Sequence, residues 1–288
     1  MNLRLFVACV AIWGSTWLAI KYQLGNVAPE ASVAYRYLLA SAILFVFCAA
    51  RRHRLRFALR QHAWIFLFGA LMFCVSYIFV YYAEEHLVSG LVAVGYSASP
   101  LLNALGSRIF FGTPMGRRVV VGSLLGIAGI TLVFWPEFAH VRGDRDTALG
   151  ALYTVLAVVI SALGNMAAHR NSDAKIPFWG SLAWGMLYGS LLSFAAALAA
   201  GKSLGFEATP GYVISLLYLA VLGSVVAFAC YLTLMHRIGP ARAGYIGVMV
   251  PIVALVISAA FEGFHWAALT WVGVAVSVAG NVIILRRV

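Results

Sequence analysis

Roughly ten runs of about twenty apolar residues fill this chain, and little lies between them. A helix needs about 20 mostly apolar residues to cross a bilayer. The runs fall at roughly 3–23, 31–50, 63–83, 87–108, 118–135, 148–168, 178–199, 211–235, 241–261 and 267–285. The 288 residues are 63% hydrophobic and 10% charged, against about 45–50% and about 25% in soluble domains. A fold in water has no place to hide that much apolar surface, whereas lipid removes the need. The sequence therefore predicts an all-α membrane protein of ten transmembrane helices. The first run, after Arg4, has no clear cleavage site and is expected to stay as the first helix.

The net charge of +11 would suit nucleic acid, but the cations sit in short loops between apolar runs, so no nucleic-acid partner is expected. With the N-terminus placed in the cytoplasm, 15 of the 20 Lys and Arg fall on the cytoplasmic side, among them Arg51, Arg52, Arg54, Arg56, Arg117 and Arg118. Five fall outside: Lys21, Arg36, Arg142, Arg145 and Lys202. An excess of Lys and Arg marks the cytoplasmic face, and an even number of spans agrees, so both termini are expected inside. Cys9, Cys48, Cys74 and Cys230 lie within apolar runs without zinc or disulfide spacing. They read as small apolar fillers, and no metal or cofactor is expected.

A shift of 151 residues lays 100–129 over 251–280 with eight of thirty positions identical, including Pro100/Pro251, Gly112/Gly263, Gly122/Gly273 and Gly129/Gly280. The shift carries the fourth span onto the ninth and the fifth onto the tenth. Each repeat then holds five helices, an odd number, so the second copy is inverted in the membrane. Residues 1–138 and 147–288 are the expected repeats. Inverted repeats suit a transporter with a central cavity at the repeat interface, lined by broken helices. Pro100 and Pro251 stand near the middle of spans four and nine, where each removes a backbone donor. They are expected to shape or gate the cavity, or only to bend their helices. The Gly122/Gly126 spacing reads as close helix packing.

This order of motifs resembles the drug/metabolite transporter superfamily, in its ten-helix EamA-type branch. The resemblance rests on Trp13-Gly14-Ser15-Thr16-Trp17, on Arg36, on the stretch from Tyr82 to Pro100 with Leu101-Leu102, on the mirrored stretch from Pro240 to Pro251, and on the glycine-rich fifth and tenth helices. Within that branch the chain most resembles bacterial YddG-type exporters of aromatic and other apolar amino acids. The resemblance implies two five-helix halves around a central cavity, in a bacterial inner membrane, with metabolites moved outward.

No Asp, Glu or Lys falls in the middle of a span. The small multidrug members of the superfamily carry a membrane Glu in their first helix, where this chain reads Ala11 to Thr16 without a carboxylate. Glu84, Glu85 and Glu262 are read as solvated caps or loop residues. Arg36 is read as snorkelling towards the outer surface or facing the cavity mouth. A neutral or zwitterionic substrate is expected, held by hydroxyls, helix-end dipoles and aromatic rings. Helical spacing offers Trp13, Ser15 and Trp17 on span one, Tyr77 and Tyr81 on span three, and Tyr96, Ser99 and Asn103 on span four. Asn165 on span six, Trp184 and Tyr188 on span seven, and Tyr245 on span nine complete the set. The plainer reading of each aromatic is interface or packing. A nucleotide-sugar or sugar-phosphate carrier would want cations in the site. An intramembrane enzyme is disfavoured by the lack of His-Glu-x-x-His, of Gly-x-Ser-x-Gly and of a membrane Asp pair.

Overall fold

A computed structural model describes residues 2–140, 145–238 and 245–285. Among these residues the chain is all-α, with no strand and ten helical spans. They are α1 (Asn2–Lys21), α2 (Pro29–Ala50), α3 (Leu59–His86), α4 (89–111), α5 (Arg117–His140), α6 (Arg145–Asp173), α7 (Phe178–Ala199), α8 (210–238), α9 (Tyr245–Phe261) and α10 (Ala268–Leu285). Seven of them are long and apolar enough to cross a membrane, and two shorter apolar helices, Ile246–Phe261 and Ala268–Ile284, belong to α9 and α10. The remaining span, α4, is interrupted by a 3₁₀ turn. Leu3, Val46, Ile109, Leu124, Leu152, Leu191, Ile214 and Val256 stand exposed around the bundle. In water such a belt would aggregate; in a bilayer it is the lipid-facing surface.

The two halves pack as a pseudo-twofold pair. Helices related by the 151-residue shift meet one another: α5 against α10, α2 against α7, α4 against α9. Two further contacts exchange in the same way. Helix α1 packs on α9 as α6 packs on α4, and α1 packs on α8 as α6 packs on α3. The glycines show the symmetry at atomic level. Gly122 abuts the carbonyl of Gly280 on α10, and Gly273 approaches the carbonyl of Gly129 on α5; the shift turns the first contact into the second. Gly112 and Gly263 hold φ of 68° and 70° at the ends of α4 and α9. This left-handed conformation favours glycine and is required at both matched positions.

Two π-helical segments, which sequence reading gives no means to foresee, also obey the shift. Ala70–Val75 interrupts α3 and Tyr218–Val226 interrupts α8, and the shift carries 70–75 onto 221–226. The halves differ at their prolines. In α4 a 3₁₀ turn at Tyr96–Ala98 precedes Pro100, which occupies the first turn of the following α-segment, where a missing N–H costs nothing. The break expected at Pro100 therefore lies just before it. Pro251 sits inside an unbroken α9.

Candidate functional site

The interior between the halves is built around the two π segments. A π turn displaces carbonyls from the regular i→i−4 ladder, and such turns recur at functional sites. The Gly223 carbonyl in α8 accepts a hydrogen bond from the Trp13 indole, 3.1 Å away, and the Trp13 ring rests against Phe228 and Tyr231, each at 5.4 Å. The Ser15 hydroxyl lies 2.6 Å from that of Tyr218, which opens the same π segment. On the other side the Ser76 hydroxyl, just past the π turn of α3, donates to the Ala157 carbonyl and lies 3.2 Å from the Tyr96 hydroxyl. Tyr96 begins the 3₁₀ turn of α4, and its ring meets Trp17 at 5.2 Å. Trp13, Ser15, Trp17 and Tyr96 thus converge on one zone, where α1, α3, α4 and α8 meet.

Above that zone, towards the end of the bundle that carries Lys202 and Glu262, lies a buried polar cluster. Tyr77, Tyr81 and Glu84 recur at i, i+4 and i+7, so they share one face of α3. Arg36 packs onto this face from α2. Its guanidinium lies 4.7 Å from the Tyr77 ring centre and 5.1 Å from that of Tyr37, a cation–π geometry, and its Nε donates to the Ser224 hydroxyl at 3.4 Å. Arg36 is 2% exposed. The snorkelling reading is thereby replaced: helix α2 turns Arg36 inward, because its side chain meets the tyrosines of α3 and the π segment of α8. The Tyr81 hydroxyl donates to Gln23 Oε1 at 2.6 Å. Glu84 is fully buried, which overturns its reading as a solvated cap, whereas Glu85 is exposed.

Two ion pairs tie the halves together around this cluster. Glu262, just past the end of α9, accepts hydrogen bonds from the Ser89 amide at 3.0 and 3.2 Å and from its hydroxyl, so it caps α4. It also lies 3.9 Å from the Lys21 ammonium. Lys202 lies 3.3 Å from Glu30 and donates to the Tyr82 hydroxyl at 2.7 Å. Burial disfavours the charged form of Lys202, but the Tyr82 hydroxyl and the Glu30 carboxylate outweigh it and raise its pKa above the ordinary lysine value.

The other expected residues are placed elsewhere. Asn165 on α6 donates to Asn103 on α4 at 3.2 Å, an amide pair one level away from the aromatic zone. Replacing Asn165 alone by Leu is expected to strand the Asn103 amide and cost about 1–3 kcal/mol; replacing both by Leu restores most of it. Thermal unfolding of the single and double variants in detergent checks this. Ser99 opens the α-segment that follows the 3₁₀ turn. Trp184 and Tyr188 form a separate cluster with the 51–58 loop and the start of α3: the Trp184 indole donates to the Leu55 carbonyl at 2.9 Å and the Tyr188 hydroxyl lies 2.9 Å from His62 Nδ1. Tyr245 begins α9, and its side chain lies outside the described residues. No group of His, Cys, Asp and Glu suited to a metal occurs among the described residues.

An apolar cleft of about 570 Å³ lies between α4, α5 and α6, lined by Leu101, Ile127, Ile130, Phe134, Val155 and Val158. The shift carries Leu101, Ile127 and Ile130 onto Ile252, Val278 and Asn281, which line a space of only about 10 Å³. That small space is closed by Val94 and Ser97 of α4, whereas the apolar cleft is closed by α6.

Comparison with known proteins accords with this architecture. A solved crystal structure of a protein superposes with a TM-score of 0.70 at 18% identity, over 98% of this chain and 95% of the other, which supports the fold. The chain is 27% identical over 278 residues to the "Uncharacterized inner membrane transporter YedA" of Escherichia coli (strain K12), covering 96% of this chain and 88% of that protein. It is 24% identical over 274 residues to the "Uncharacterized transporter YdfC" of Bacillus subtilis (strain 168), covering 94% and 86%. It is 21% identical over 252 residues to "Protein PagO" of Salmonella typhimurium, covering 87% and 82%. The profile of the EamA-like transporter family matches residues 3–135 and again 148–286, so the chain belongs to the EamA-like transporter family.

Proposed function

We propose that this membrane transporter exports amino acids, aromatic and other neutral ones, or similar small zwitterionic metabolites, across a bacterial inner membrane by alternating access. The observation that carries the reading is the interior zone where Trp13, Trp17, Tyr96, Tyr77 and Arg36 meet the matched π segments. Rings there suit an apolar side chain and polar atoms suit a charged head group. The repeat of the fold supports alternating access: exchange of conformation between two inverted halves would open the molecule on the opposite side. The bias of Lys and Arg supports cytoplasmic termini. The order of motifs along the chain, which resembles the YddG-type exporters, is what supports that choice of analogue. The family and the YedA and YdfC relatives carry names of transporters rather than enzymes.

A second reading has one observation in its favour. Arg36 is a buried cation without a carboxylate partner among the described residues, as a sugar-phosphate carrier would require. Glu84, buried in the same cluster, argues against a dianion there by like-charge repulsion.

Counterflow in proteoliposomes decides between them. Purified protein is expected to exchange labelled phenylalanine, tryptophan or threonine and to ignore a sugar phosphate. Exchange of the phosphate compound alone would move the chain to the carrier reading.

A further inference from the structure

Four buried polar atoms that lack a protein hydrogen-bond partner gather around Tyr81: Gln23 Nε2, Arg36 Nη1, and both carboxylate oxygens of Glu84. Gln23 is 1% exposed, Arg36 2% and Glu84 0%. Tyr81 links them. Its hydroxyl binds the other end of the Gln23 amide, Arg36 lies against it, and Glu84 follows it by three residues on the same face of α3. Along α3, Glu84 stands about one helical turn, ~5 Å, beyond Tyr81 and two turns beyond Tyr77, which the guanidinium faces.

A buried charge without a partner is costly, and where charges serve only the fold they are normally paired directly. Here a buried guanidinium and a buried carboxyl group stand near each other and do not hydrogen-bond. Lys21 acts on Glu84 through space but makes no hydrogen bond or ion pair with its carboxyl group. The Lys21 ammonium donates to the backbone carbonyls of Glu84 and Leu87 and lies beside Glu262. Symmetry offers no structural reason, because the 151-residue shift carries Gln23, Arg36 and Glu84 onto Ala174, Leu187 and Met235. The second half has the same topology without these groups.

We propose that Arg36 and Gln23 form one pole, and Glu84 the other, of a binding site for a compact zwitterion that carries a carboxylate and an ammonium on neighbouring atoms, as an α-amino acid does. The assignment rests on the amino-acid reading above and names the groups that would enforce it. The carboxylate takes Arg36 Nη1 on one oxygen and the Gln23 amide donor on the other, a charge-assisted two-point contact. The ammonium donates to the Glu84 oxygens. A simple anion leaves Glu84 facing like charge, a simple cation does the same to Arg36, and an uncharged solute answers neither. The ring faces of Tyr37 and Tyr77 enclose the carboxylate pole, and the Trp17–Tyr96 pair lies deeper, where the substrate side chain would go.

The test is competition against L-phenylalanine counterflow by two analogues, phenethylamine without the carboxylate and 3-phenylpropionate without the ammonium. A parallel set uses L-threonine with 1-amino-2-propanol and 3-hydroxybutyrate. In the wild type each analogue is expected to compete about tenfold to hundredfold more weakly than its amino acid, the loss set by one charge-assisted hydrogen-bonded pole. In Glu84→Gln the disadvantage of the ammonium-free analogue shrinks at least about tenfold while the other is unchanged; Arg36→Gln does the reverse. Where a variant fails to fold, ligand-induced thermal stabilisation of the wild type gives the same reading, with the amino acid stabilising and neither analogue doing so. Amino-acid exchange with unchanged discrimination in both variants, or a wild type stabilised equally by all three compounds, overturns the two-pole site and leaves the function standing. A wild type that exchanges no amino acid overturns both.

Discussion

Gly280→Leu is expected to leave no stably folded protein, and Gly129→Leu, its partner under the repeat, is expected to do the same. A Cβ at Gly280 would lie 2.7 Å from the Gly126 nitrogen and 3.0 Å from the Leu125 Cβ, and it would meet the Gly122 carbonyl. At Gly129 it would lie 2.5 Å from both the Gly273 carbonyl oxygen and the Ser277 nitrogen. The obstacles are mostly backbone, so no side-chain rotation relieves them, and α5 and α10 must separate along their length. Overpacking a core usually costs about 1–3 kcal/mol, and backbone against backbone belongs at or above the top of that range. At ~2–4 °C per kcal/mol for a chain of this order, the thermal midpoint of any recovered protein should fall by ~10 °C or more. Gly247→Ala is the control, since a Cβ there meets nothing within 4 Å. Size-exclusion profiles and thermal unfolding in detergent report the result. A monodisperse Gly280→Leu protein with the wild-type midpoint would mean that α5 and α10 do not meet through these glycines.

Close packing at these glycines, though not the helices it joins, was legible in the sequence for a physical reason. Lipid offers helices no hydrophobic gain on association, so close packing selects small residues, and Gly122, Gly129, Gly273 and Gly280 stand out at spacings that repeat. The ten spans were legible because the bilayer sets their length and their apolar content. Charges near span ends were not. Arg36 and Glu84 lie within reach of the surface, and whether such a residue turns to the headgroups or to the interior depends on which way its helix is rotated. That rotation is decided by tertiary packing. One local signal was present: Tyr77, Tyr81 and Glu84 fall on a single helical face, and a carboxylate continuing an aromatic stripe is poorly placed for solvent. Trp184 and Tyr188 show the opposite case. Their ring types fit a substrate site, but their depth on α7 brings them to Leu55 and His62 instead. The π segments left no trace in residue types, because one extra residue in a helix changes its phase and not its composition.

Deleting Leu222 from the π segment of α8 is expected to preserve the fold and cost at least about tenfold in transport. A π turn corresponds to one residue inserted into an α-helix, so removing one lets the flanks rejoin the regular i→i−4 ladder with their faces kept in phase. Helix α8 would then still bury Leu219 and Ala227, and the thermal midpoint should move by only a few degrees, ~5 °C or less. The loss falls on the site. The Gly223 carbonyl returns to the ladder and no longer accepts from Trp13, while Ser224, which receives Arg36 Nε, shifts relative to the guanidinium. Deleting Leu71 from the matched segment of α3 should weaken transport in the same way, because Ser76 and Tyr77 follow directly on that turn. Counterflow by the two deletion variants, each checked for monodispersity, measures the effect. If both transport at the wild-type rate, the π segments are tolerated irregularities and the aromatic zone does not depend on them. If both fold and fail, the paired interruptions are part of the machinery, and their survival in both halves has a physical cause: each supplies unladdered backbone where an inverted-repeat transporter needs polar groups in the interior.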